Sequence, residues 1–119
     1  MYLSDQIAKA EVKASERTKR LHEIADFVMT IPPHQFDISC WWSDQLNCGC
    51  AVGHMVKRHA FGVDQGDYLD SSRNAFENVA LRLGISLDDA HRVFGGAAYG
   101  AMLHHVTREM VAERARAIA

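Results

Sequence analysis

Three thiols and an imidazole fall within fifteen residues of this chain, at Cys40, Cys48, Cys50 and His54. Soft donors of this kind bind zinc when four of them converge tetrahedrally. The spacing, C-x7-C-x-C-x3-H, is not that of zinc knuckles, which pair C-x2–4-C with a second such unit or with H-x3–5-H. A metal-stabilised regulatory module would use Cys40, Cys48, Cys50 and His54 as its ligands. A second chemistry is nucleophilic. Cys50 stands where a helix should begin, with His54 one turn on and Lys57 near, so a small thiol enzyme would take Cys50 as nucleophile. The third reading is packing, and it is favoured. Free cysteine behaves as a small hydrophobe, Gly49 and Gly53 would let the helix approach another backbone closely, and His54 would make a satisfied polar contact. No catalytic residue, resident metal or cofactor is therefore expected.

The elements that position this segment are mostly helical. Leu3, Ile7, Ala10, Ala14, Leu21, Ile24, Val28 and Ile31 recur at helical spacing, which predicts one long N-terminal helix closed by Pro32-Pro33. Phe36, Ile38, Cys40 and Trp42 alternate with Asp37, Ser39 and Trp41, the period of an extended segment, with no second convincing strand to pair it. A helix is expected from Cys50 or Ala51 to Ala60, stopping at Gly62, with Val52, Met55, Val56 and His59 on one face. Gly62 to Asp70 reads as a polar turn. Leu69, Ser72, Phe76, Val79, Ala80 and Leu83 make the next helical stripe, closed by Gly84. Ser86-Leu87-Asp88-Asp89 has the outline of a capping box, with Asp in place of Glu or Gln. Thr107 is a natural N-cap for a helix bearing Val111, Ala115 and Ile118. The expected class is a mostly α, compact helical domain with at most one short extended segment or hairpin. Its core is expected from Leu21, Ile24, Val28, Phe36, Trp42, Val52, Val56, Phe76, Val79, Leu83, Val93 and Phe94.

The remaining polar residues read as structure. His104 and His105 are adjacent and diverge in helix or strand alike, so joint ligation is not expected. Asp64, Asp67 and Asp70 lack the calcium-loop pattern. Of Trp41-Trp42, one should enter the core, and the other, half exposed, is an interface candidate.

Composition bounds the function. The 119 residues make one domain, 1–119, with a hydrophobic fraction of 48% and a charged fraction of 24%. Thirteen basic against fifteen acidic residues leave a formal charge of −2, so nucleic acid is not an expected partner. No stretch has the length and continuity of a membrane span. An odd count of three cysteines and no export signal predict reduced thiols and a cytoplasmic location.

Phe36-Asp37-Ile38 with Trp42 behind it, Cys48-Gly49-Cys50-Ala51-Val52-Gly53-His54, and Leu83-Gly84-Ile85-Ser86 followed by Ala90 and Val93-Phe94 carry a resemblance. Over residues 21–95 the chain resembles a family of small phage and bacterial proteins. Those proteins carry an F-D-[MI] segment followed by tryptophan, a C-G-(T-x-x)-C-x-x-G-[HW] segment and an L-G-[IL]-[ST] box. Here Cys48-Gly49 joins Cys50 directly, without the usual intervening residues. The resemblance implies a gene of phages or other mobile elements, and with it a non-catalytic accessory protein that binds a host or phage protein. An inhibitor of a host defence system, anti-CRISPR-like, is the expected form. The binding surface is expected on residues 1–20, a helical arm whose stripe of Ile7, Ala10 and Ala14 must pack on something. Ile7, Ala14 and Trp41 are the candidate contact residues, and a homodimer through the arm is expected ahead of a monomer.

Overall fold

A computed structural model describes the backbone of residues 2–69, 75–95 and 106–119, and the side chains of 13–67, 76–95 and 106–119. Six helices occupy those stretches: α1 (Tyr2–Met29), α2 (Ala51–Lys57), α3 (Gln65–Leu69), α4 (Ala75–Leu83), α5 (Leu87–Phe94) and α6 (Arg108–Ile118). No strand occurs among the described residues, and the class is mostly α, as the periodicities require.

The second half of α1 is the axis of the molecule. Leu21, Ile24, Ala25 and Val28 are fully buried, one stripe at spacings of three and four. α6 lies antiparallel against it and buries Val111, Ala112 and Ala115. Two arginines pin this pair at opposite ends. Arg108 Nη1 donates to the carbonyls of Met29 (2.6 Å) and Ile31 (2.8 Å), satisfying acceptors left open where Pro32 stops the helix. Arg17 donates to the Ile118 carbonyl at 2.9 Å and to both oxygens of Asp89 at 2.8 Å.

Asp89 also completes the capping box of α5. Its backbone N–H donates to Ser86 Oγ (3.0 Å), and its carboxylate accepts from the Ser86 N–H (3.2 Å). Thr107 caps α6 by accepting from the Met110 N–H. Gly84, at φ +72°, ends α4, with the Ile85 N–H reaching back to the Ala80 carbonyl. All three caps follow the expected pattern.

Four expectations need correction. α2 ends at Lys57, not Ala60, because His59 takes the left-handed conformation (φ 56°) and the Ala60 N–H closes onto Met55 O; His59 is exposed and belongs to no apolar face. The polar stretch after Gly62 contains α3, whose entry is tied by reciprocal bonds between Asp64 and Asp67. The alternating segment is not a strand: Asp37 Oδ1 accepts from both the N–H and the Oγ of Ser39 (3.0 and 2.6 Å), which turns the chain at Ile38. Finally, Trp41 and not Trp42 packs against the core. Of the other expected core residues, Phe36 and Phe76 are half-buried against the core and the remainder are buried. Ser72, Asp70, His104 and His105 lie outside the described residues. No helix among the described residues is long and apolar enough to cross a membrane.

Candidate functional site

The thiols and the imidazole sit where three stretches of backbone meet. Residues 48–50 run extended between two neighbours. On one side the Asp37 N–H donates to Gly49 O (2.9 Å) and the Gly49 N–H to Gln35 O (3.0 Å). On the other side Ser43 and Cys48 exchange bonds (2.7 and 3.3 Å), and the Cys50 N–H donates to Cys40 O (2.8 Å). Asn47, at φ 50°, turns the connecting loop. Cys50 is then the N-cap of α2, and every residue from Ala51 to Val56 is buried. A helix buried all round has no polar face, so His54 is inside, at 3% exposure.

Two glycines make this possible. A Cβ on Gly53 would stand 1.6 Å from the Trp41 carbonyl oxygen, and one on Gly49 would stand 2.3 Å from the same atom. The Trp41 carbonyl thus rests on the bare backbone of α2 and of the segment before it, and Cys50 Sγ reaches that carbonyl at 3.8 Å. The close approach expected of Gly49 and Gly53 is present, and its target is the tryptophan pair.

His54 Nε2 lies 2.6 Å from Gln35 O. A carbonyl can only accept, so Nε2 carries the proton. Gln35 O accepts from Gly49 as well, which uses both of its lone pairs. The His54 ring meets Trp42 edge-on, centroids 5.0 Å apart, and Lys57 Nζ stands 5.4 Å over the Trp42 ring. Trp42 Nε1 donates to Asp44 Oδ1 at 2.9 Å. Burial above all pulls the His54 pKa below its ordinary value. The bond to Gln35 opposes that shift, and the charge of Arg58 adds to it.

Two of the thiols, Cys48 and Cys50, are held protonated. Burial is the largest influence on Cys50 and pushes it up against opposing backbone bonds from Gly53, Val52 and its own N–H. Burial, then the charges of Asp37 and Cys40, push Cys48 up as well. A nucleophile needs the reverse, and the proton that His54 holds on Nε2 is committed to a backbone carbonyl. All three cysteines are free thiols. Among the described residues no three His, Cys, Asp or Glu side chains are placed to hold a metal ion, and His54 faces Gln35. The space lined by Phe36, Ile38, Cys50, Phe94 and Val111 measures about 10 Å³, at the lower limit for one water.

The candidate contact residues are dispersed. Ala14 is exposed on α1, far in sequence from Trp41, which is half-buried on the core; Ile7 has no described side chain. Two exposed leucines escaped sequence reasoning, Leu46 (74% exposed) in the 44–47 turn and Leu81 (76%) on α4. The signal for Leu46 was its place as the single apolar residue in Ser43-Asp44-Gln45-Leu46-Asn47. For Leu81 it was a position off the stripe of Val79, Ala80 and Leu83. Comparison with protein-family models, curated proteins and solved structures finds no match to this chain.

Proposed function

We propose that this protein is a non-catalytic, protein-binding accessory protein of a phage or other mobile element, acting on a host defence system and self-associating through the first half of α1. The observation that carries this reading is the reach of α1. Its core stripe begins at Leu21, yet the helix continues back to Tyr2, and Ala14, one heptad before Leu21 on the same face, is exposed with its neighbours Lys13, Ser15 and Glu16. An isolated helix of that length is marginal in water unless its stripe is covered. Supporting it from the other side, the groups best suited to chemistry are engaged in packing: His54 with Gln35, Cys50 with the Trp41 carbonyl. The mobile-element context rests on the family resemblance of residues 21–95.

Sedimentation of the full chain beside a chain lacking residues 1–16, and beside Ile7→Glu, tests the surface. A dimer is expected for the first and monomers for the other two; a monomeric full chain removes the self-association. Expression in a bacterium whose CRISPR system targets an infecting phage tests the action: restored plaque formation is expected, and undiminished protection counts against it.

A further inference from the structure

We propose that Arg20 and Arg58, laid over the paired rings of Phe61 and Phe27, form a docking surface for an acidic protein segment whose carboxylates flank an apolar side chain. The surface gives the partner of the protein-binding reading, on which it rests, a stated chemistry, and it uses no residue of 1–16. The four side chains make one row. Arg20 Cζ stands 4.9 Å from the centre of the Phe61 ring, the Phe61 and Phe27 rings meet edge to face at 5.6 Å, and Arg58 Cζ stands 5.3 Å from the centre of Phe27. Thr30 Oγ1 donates to Phe27 O and accepts from Arg58 Nη1, both at 2.6 Å, so the Arg58 head is in place before a ligand arrives.

What sets the row apart is the charge left open. Arg17, Arg82, Arg92, Arg108 and Arg116 each have a carboxylate oxygen within 3.2 Å. Lys57, the cation over Trp42, has Asp44 at 3.4 Å. Arg58 is exposed and forms no ion pair among the described residues; its bond to Thr30 is to a neutral group. Arg20 Nε is buried without a hydrogen-bond partner among them, with Glu23 Oε1 3.7 Å away. Rings hold these two guanidiniums where carboxylates hold the others, and their N–H forks remain for an outside anion. Phe61 reaches its place at φ 57°, with His59 before it at 56° and Gly62 after it at 74°. That conformation is strained for a bulky residue and persists where the surroundings over-determine it. Phe27 and Phe61 are half-buried between the two forks, which suits an apolar side chain between two carboxylates. Each ring has a guanidinium over it, not an open platform for a base. Glu23 and the formal chain charge of −2 oppose a continuous phosphate backbone. A protein segment is the better fit.

The probe is a fluorescein-labelled peptide of four Glu-Ser-Leu-Ser repeats closed by Glu. On an extended backbone its Glu and Leu side chains share one face. Binding to the full-length protein is read by anisotropy, beside the same peptide with Gln for Glu and a labelled thymidine oligonucleotide of similar length. The acidic peptide is expected to bind at least about tenfold tighter than either. Arg20→Met and Arg58→Met are each expected to weaken it about tenfold, the worth of one charge-assisted bond. Arg58→Lys keeps the charge but loses the fork and is expected to weaken it as well. Arg92→Met, an equal change of charge elsewhere, is expected to leave it unchanged. Should a variant misfold, the Nε–Hε NMR signals of wild-type Arg20 and Arg58 report directly: both shift on adding peptide, while that of Arg17 stays. No binding of the acidic peptide, equal affinity for the Gln peptide, tighter binding of the oligonucleotide, equal losses in Arg92→Met, or unmoved Arg20 and Arg58 signals each overturn the proposal. Peptide failure beside restored plaque formation removes this surface alone; peptide binding without restored plaques removes the defence reading alone.

Discussion

At Gly53 the missing side chain is the structural feature, because the Trp41 carbonyl occupies its place. Gly53→Ala must separate α2 from that carbonyl, and overpacking of a rigid contact costs about 1–3 kcal/mol; urea unfolding should report a loss toward the upper end. Gly84→Ala is the useful contrast. Nothing lies within 4 Å of its added Cβ, and only the left-handed backbone is strained, so a loss of roughly 1–2 kcal/mol is expected. His54 gives a pH dependence. Its pKa is lowered in the folded state, mainly by burial, so the unfolded chain binds the proton more readily. The stability it contributes is full above about pH 6.5, the unfolded value, and is lost as pH falls from there through the folded value. Urea midpoints at pH 7.5 and 5.5 should differ in the wild type, and the part of the difference due to this ring should vanish in His54→Gln.

Among the elements, the Ser86 box shows how a local device becomes a tertiary one. Asp89 accepts from Ser86 within its own helix and from Arg17 on α1, and the guanidinium bond is the main reason its carboxyl lies below the usual range. Its contribution is therefore present above about pH 3.8 and lost as pH falls through the folded value, a window separate from that of His54. Asp89→Asn keeps an acceptor for Ser86 but removes the charge opposite Arg17. A loss of about 2–3 kcal/mol is expected, and the double mutant with Arg17→Met should cost less than the sum of the two. What the sequence made legible divides along the same line. The caps at Ser86, Gly84 and Thr107 are bonds across three to five residues, so their residue types suffice to place them, and the stripes of α1, α4 and α6 follow from spacing. Asp89 meeting Arg17, a contact across 72 residues, leaves no local mark. Nor does the burial of α2, since periodicity assumes that a helix has a wet side. The turn at Ile38 was readable from Asp37-Ile38-Ser39, an Asx pattern overshadowed by the alternation around it. Gly49 and Gly53 announced a close approach without saying to what.

For the whole molecule, the described core begins at Leu21, and Arg17 is the outermost α1 side chain seen bonded to the body. Removing residues 1–16 should accordingly lower the unfolding free energy by less than about 1 kcal/mol while it changes the sedimentation of the protein, which separates a binding arm from a scaffold element. The pairing of α1 with α6 bears on how the protein is made. The stripe of Leu21, Ile24, Ala25 and Val28 is synthesised early, but the helix that covers it is joined by contacts across 77 to 101 residues. Pairings so distant in sequence close slowly. During translation the greasy side of α1 lacks the cover of α6 until Arg108 and the helix it begins have left the ribosome. Ribosome-bound chains stalled before residue 108 should be digested by protease throughout, and those stalled well beyond 119 should be resistant.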